Sequence, residues 1–118
     1  MSRRTERIAE QLRAEIARVL REEATDPRVR LVTVTRVDVA PDLSNAFVFW
    51  SALDAEDEGA IAAKEDGLAS AASFVRRRLA RELPLRRVPE LRFRFDPSFV
   101  LGSETLSLLR SLRDDETS

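Results

Sequence analysis

The chain contains no cysteine and no histidine. That removes disulfides, thiolate and imidazole metal ligands, cysteine nucleophiles and histidine acid–base catalysis together. Glycine occurs only at Gly59, Gly67 and Gly102, and none of them builds a phosphate-cradling loop. The longest strongly apolar run, Phe47 to Trp50, is far too short to span a bilayer. The opening MSRRTERIAEQLR places charges where a signal peptide needs an apolar stretch. Carboxylates such as Asp38 and Asp42 therefore stand without a histidine or nucleophile motif, and Ser44 and Ser103 follow no nucleophile elbow. These absences lead us to expect a cytoplasmic protein that is not an enzyme. We expect no catalytic residue, metal, cofactor, small-molecule substrate or membrane association.

What the chain does have is arginine. Of its 20 basic residues only Lys64 is a lysine, and 21 acids bring the net charge to −1. The charge is unevenly placed: +2 over residues 1–30, −1 over 31–53, −5 over 54–67, +6 over 68–94 and −3 over 95–118. The stretch LASAASFVRRRLARELPLRRVPELRFR, Leu68 to Arg94, holds eight arginines against Glu82 and Glu90. Charge focused on one element of a nearly neutral domain is what a specific polyanion contact requires. The planar guanidinium also grips phosphate with two parallel hydrogen bonds and stacks on bases. The segment points to RNA.

Hydrophobic periodicity organises 118 residues as one domain. Ile8, Leu12, Ile16, Val19 and Leu20 recur at helical spacing between about Arg4 and Ala24. Glu15–Arg18 and Arg18–Glu22 are positioned to pair along that helix, and Thr25-Asp26-Pro27 ends it. LVTVTRVDV, Leu31 to Val39, reads as a strand with Leu31, Thr33, Thr35, Val37 and Val39 on one face. A turn at Ala40 to Ser44 returns the chain as NAFVFWSAL, Asn45 to Leu53, giving an antiparallel hairpin. The acidic stretch Asp54 to Glu58 is a surface loop leading into a helix. Leu91, Phe93 and Phe95 alternate with Arg92, Arg94 and Asp96 as a third strand. A short final helix is expected from near Ser103, and residues 114–118 read as a disordered acidic tail.

Between strands two and three, Ile61, Leu68, Ala71, Ala72, Val75 and Leu79 form an apolar stripe near 100° per residue. Phe74 falls off that stripe and is too large to leave in water without reason. A change of phase would return it to the core. We therefore expect helical hydrogen bonding to break within Ala71, Ala72 and Ser73, with Phe74 mostly buried. The predicted fold is α+β, with helices on one face of a three-stranded sheet.

This order, with a bent helix pair between strands two and three, resembles the type II KH fold. More closely, three stretches resemble the bacterial ribosome-binding factor A family: Arg7 to Val29 (RIAEQLRAEIARVLREEATDPRV), Val32 to Phe49 (VTVTRVDVAPDLSNAFVF) and Ala72 to Asp96 (ASFVRRRLARELPLRRVPELRFRFD). Together they cover most of residues 4–112 in the family's order. The resemblance implies a single KH-like domain over residues 1–113. It also implies a monomeric accessory factor that binds the free small (30S) ribosomal subunit, assists late maturation and 16S rRNA processing, and supports growth in the cold. Its kink, Ala-x-Gly in the family, maps onto Ala71-Ala72-Ser73, with serine in place of the glycine.

Arg76, Arg77, Arg78, Arg81, Arg86 and Arg87 are the expected RNA-facing residues, with Arg3, Arg4 and Arg7 assisting from a mobile N-terminus. If about five phosphates are neutralised, log affinity should fall against log salt with a slope of roughly −3.5 to −4.5. The alternative is a non-catalytic protein–protein adaptor anchored by Phe47, Phe49, Trp50 and Phe93.

Overall fold

The structure, a computed structural model, describes residues 3–97. Helix α1 spans Arg3–Glu22 and buries Thr5, Ile8, Leu12, Ile16, Val19 and Leu20 along one stripe. Arg18 pairs with Glu15 and Glu22 on its outer side, as their spacing predicts. After the helix, Asp26 accepts a hydrogen bond from the Arg28 N–H (2.9 Å) and caps a single 3-10 turn, Pro27–Val29. The proline supplies the fixed φ that such a turn begins on.

Strand β1, Val32–Val39, pairs antiparallel with β2, Asn45–Ala52, confirming the hairpin. Strand β3, Glu90–Phe95, lies parallel to β2, so the sheet order is β1-β2-β3 with β2 central. A parallel pair needs a crossover. Helix α2, Glu58–Glu82, provides it, its first turn capped by the Asp57 carboxylate accepting from the Ala60 N–H (2.8 Å). This is an α+β sandwich in the order expected of a type II KH-like domain. The expected helix near Ser103 and the tail at 114–118 lie outside the described residues.

The core sits between the sheet and the two helices. Trp50, Val48 and Ala46 of β2 face Leu12, Ile16 and Val19 of α1 and Leu68, Val75 and Leu79 of α2 in one buried cluster. One correction concerns β1. The register slips between Val34 and Arg36, and this bulge puts Val34 on the same buried face as Val37 and Val39. An extra residue in one strand resets the two-residue alternation. Strict alternation predicts Leu31 and Thr33 on the face of Val37, but both are exposed where Val37 is buried. Leu31 instead precedes the strand at φ 63°, with its side chain exposed.

The expected break in the second helix is also corrected. Helical structure runs without interruption from Glu58 to Glu82, straight through Ala71, Ala72 and Ser73. Alanine is the best helix former, and serine lacks glycine's access to positive φ, so nothing in this run compels a break. Phe74 reaches cover without one. It is half-buried in a crevice with Glu23, Ala24, Thr25, Asp26, Ser70 and Ala71, under the end of α1. Helix α2 packs on β3 along one side and on α1 and the 3-10 turn along another, so its apolar surface is wider than a single stripe.

Two small features lock α2 to the rest. The single lysine, Lys64, is buried; its Nζ donates to the Arg30 carbonyl (2.8 Å) and pairs with Asp54 (3.0 Å). Gly67 faces the 3-10 turn so closely that an added Cβ would stand 2.7 Å from the Arg28 Cβ and 3.2 Å from a Val29 methyl. Alanine gains roughly 0.5–1 kcal/mol of helix preference over glycine, but overpacking costs about 1–3 kcal/mol. Gly67→Ala is therefore expected to destabilise the domain by about 1–2 kcal/mol. Urea unfolding followed by circular dichroism would measure it.

Candidate nucleic-acid interface

The directions of the elements sort the charge. The far half of α1 (Ala17, Leu20, Arg21) lies beside Val32 to Val34, while its near half (Glu6, Ala9, Glu10) lies beside Arg36 to Asp38. Helix α1 therefore runs opposite to β1, and its N-terminus sits at the end of the sheet where the Ala40–Ser44 turn lies. Helix α2 starts at the other end, where Lys64 meets Arg30 and Asp54. It finishes at the turn end, where the following loop enters β3 and the Glu90 N–H donates to the Ser44 carbonyl (2.9 Å). Arg3, Arg4, Arg7, Arg81, Arg86 and Arg87 thus gather towards one end of the domain. The acidic loop Asp54 to Glu58 lies at the opposite end. Among the described residues the charged side chains are therefore polarised along the domain.

The six arginines of the second helix and its loop fall into two groups. Arg77 and Arg81 are exposed one turn apart on α2, and Arg86 and Arg87 are exposed on the loop that follows it. That loop is held by its apolar residues: Pro89 is fully buried, and Leu83, Leu85 and Val88 pack against the core. Arg87 lies near enough to Asp42 to help lower its carboxyl from the usual range, after the larger effect of the Ser44 hydroxyl and N–H. These four guanidinium groups face solvent on a fixed frame.

Arg76 and Arg78 are partly exposed and are also held by contacts within the fold. Arg76 donates to the carbonyls of Pro89 (3.2 Å) and Val88 (3.0 Å) and pairs with Glu90 (3.5 Å), so it ties the loop to α2. Arg78 pairs with Glu23 at the end of α1 (2.9 Å), and its guanidinium lies 5.4 Å from the centre of the Phe74 ring. Both clamp the fold. Arg76→Ala leaves two carbonyls without their donor and is expected to cost about 1–2 kcal/mol, since its side chain is partly exposed. Arg77→Ala should change stability by less than about 0.5 kcal/mol. Chemical unfolding of the two variants side by side would separate the structural arginine from the free one.

Arg3, Arg4 and Arg7 are exposed, but they belong to the first turns of α1 rather than to a mobile arm. Thr5 and Ile8, buried between them, anchor that end. Of the four aromatic anchors considered for an adaptor, Trp50 is fully buried and Phe93 packs on the core side. Phe47 and Phe49 lie on the sheet's outer face. Sequence periodicity missed the arginines that accompany them: Arg36 lies 4.3 Å from the centre of the Phe49 ring, and Arg94 lies 5.6 Å from that of Phe47. The available signal was the alternation of arginine with phenylalanine in β3. Among the described residues no acidic group is arranged to hold a metal ion, and no helix is long and apolar enough to cross a membrane.

Comparison with known proteins agrees with this architecture. The sequence profile described as ribosome-binding factor A matches residues 4–109. Ribosome-binding factor A of Marinomonas sp. is 45% identical over 116 residues, covering 97% of this chain and 90% of that protein. The protein of the same name from Pseudomonas syringae pv. syringae is 42% identical over 113 residues, covering 95% and 82%. Among solved structures, ribosome-binding factor A from Thermus thermophilus superposes with a TM-score of 0.68 at 27% identity, over 77% of this chain and 93% of that one. A Thermus thermophilus homology model fitted into a cryo-electron-microscopy map of the factor's 30S complex gives 0.63 at 30% identity, over 78% and 94%. With its profile matched over nearly its whole length, this chain belongs to the ribosome-binding factor A family.

Proposed function

We propose that this protein binds the free small (30S) ribosomal subunit through its 16S rRNA and assists the late maturation and processing of that RNA. The observation that carries the reading is the polarised charge. Arg77, Arg81, Arg86 and Arg87 are exposed at or near the end where Arg3, Arg4 and Arg7 also lie, and the acidic loop is kept at the other end. A rigid basic end reads structured RNA by its backbone and shape, so these residues supply affinity more than sequence choice. The names of the relatives, and the 30S complex to which one structural neighbour was fitted, support the same reading. The action is binding rather than catalysis, and its place is the cytoplasm. Sucrose-gradient fractionation of the tagged protein tests it. Co-migration with free small subunits is expected. Sedimentation with large subunits or polysomes only, or a peak that stays at the top of the gradient, would refute it.

A further inference from the structure

We propose that the outer face of the sheet is a second RNA-binding surface, a stacking platform for unpaired nucleotides. The proposal rests on the reading of this protein as an RNA-binding factor, but it concerns a different surface and a different chemistry. Both helices cover one side of the sheet. On the other side, the central strand presents Phe47 and Phe49, two residues apart and hence about 7 Å along the strand. Cross-strand pairing flanks Phe49 with Arg36 of β1 and Arg94 of β3, and flanks Phe47 with Asp38 and Arg92. The Arg36 guanidinium lies 4.3 Å from the Phe49 ring centre and the Arg94 guanidinium 5.6 Å from that of Phe47. Arg92 is oriented by the Asn45 side-chain oxygen (3.1 Å). Phe47 remains 37% exposed.

Aromatic rings and guanidinium planes on an open sheet are the groups on which single-stranded bases stack. A protein partner would have to strip water from Arg36 and Arg94 to reach the rings beneath, at a cost that a flat base stacking on the guanidinium avoids. The face also adjoins the basic end: the Phe47 row is the rung next to Val39–Ala46, where the Ala40–Ser44 turn begins. Its acids are already engaged. Asp38 pairs with Arg36 (3.3 Å), Glu90 with Arg76 (3.5 Å), and Asp96 accepts from the Thr35 hydroxyl (3.3 Å). Little net charge is left, so stacking supplies the affinity and the dependence on salt is shallow. If two guanidinium groups of this face neutralise phosphates of a single strand, the slope of log affinity against log salt is about −1.4.

The test is fluorescence anisotropy of a labelled, unstructured oligoribonucleotide of about ten nucleotides. It is measured with the full chain carrying R77A, R81A, R86A and R87A, so that the helical arginines contribute nothing. That chain is expected to bind the oligonucleotide with the shallow slope. Adding F47L and F49L keeps apolar bulk but removes the π faces, and should weaken binding at least about tenfold. Adding R36Q and R94Q instead, on exposed positions that leave the fold intact, should weaken it comparably. Failure of the first chain to bind at about 50 mM salt, or binding by both added-pair variants as tight as that of the first chain, would overturn the platform. The two readings remain separable. Loss of small-subunit binding in the four-arginine variant, with F47L/F49L behaving as the parent on both probes, leaves only the helical surface; the converse leaves only the platform.

Discussion

Replacing Arg77, Arg81, Arg86 and Arg87 together with alanine is expected to weaken binding to free small ribosomal subunits by about a thousandfold at about 0.1 M salt. The magnitude follows from counterion release. Each phosphate neutralised contributes about −0.9 to the salt slope on a duplex and about −0.7 on a single strand. Four free guanidinium groups therefore supply roughly −2.8 to −3.6, and this contribution fades towards 1 M salt. The slope is shallower than six arginines would suggest, because Arg76 and Arg78 are already bonded to Val88, Pro89 and Glu23. Raising salt from about 50 to about 200 mM should then weaken this part of the parent's binding roughly 50- to 150-fold. The four-arginine variant should lose most of that dependence while unfolding at nearly the parent's urea concentration. Arg3, Arg4 and Arg7, together with the arginines of the sheet's outer face, supply what salt dependence remains.

Trp50→Ala should cost about 3–5 kcal/mol of stability, the largest expected effect of any single substitution in the core. Trp50 is fully buried at the centre of the middle strand, and its ring meets Phe95 edge-on, 5.0 Å between centres. Against a total stability of roughly 5–15 kcal/mol, such a loss leaves a large unfolded fraction. The indole Nε1 has no hydrogen-bond partner among the described residues. Trp50→Phe removes that unpaired N–H together with some volume, and is expected to cost less than about 1.5 kcal/mol. Urea unfolding by circular dichroism would rank the two; equal losses would contradict this ranking.

The elements of this fold were legible wherever a local period governs burial. Leu12, Ile16 and Val19 recur at helical spacing and are buried; Leu91, Phe93 and Phe95 alternate and turn inward. Legibility failed where a residue's surroundings come from distant parts of the chain. A bulge beside Thr35 reset the alternation of β1, and no propensity announces it. The off-stripe phase of Phe74 predicts a break in the helix, because a helical wheel knows one contact face. The end of α1 supplies a second. The candidate site shows the same limit. Clustering identified the arginine-rich segment, but which arginines remain free depends on carbonyls and carboxylates as far away as Val88, Pro89 and Glu23. The pairing of Arg36 with Phe49 is set by strand register, which the single strands do not display.

The absence of cysteine allows one reporter to be placed at a time. An iron chelate tethered at A80C stands on the exposed side of α2 between Arg77 and Arg81; one tethered at E56C stands in the acidic loop. Each would be bound to free small subunits, and hydroxyl radicals generated at the iron would cut nearby RNA. Strong local cleavage of 16S rRNA from position 80, with little or none from position 56, is the result this account predicts. Cleavage from position 56 with none from position 80 would contradict it.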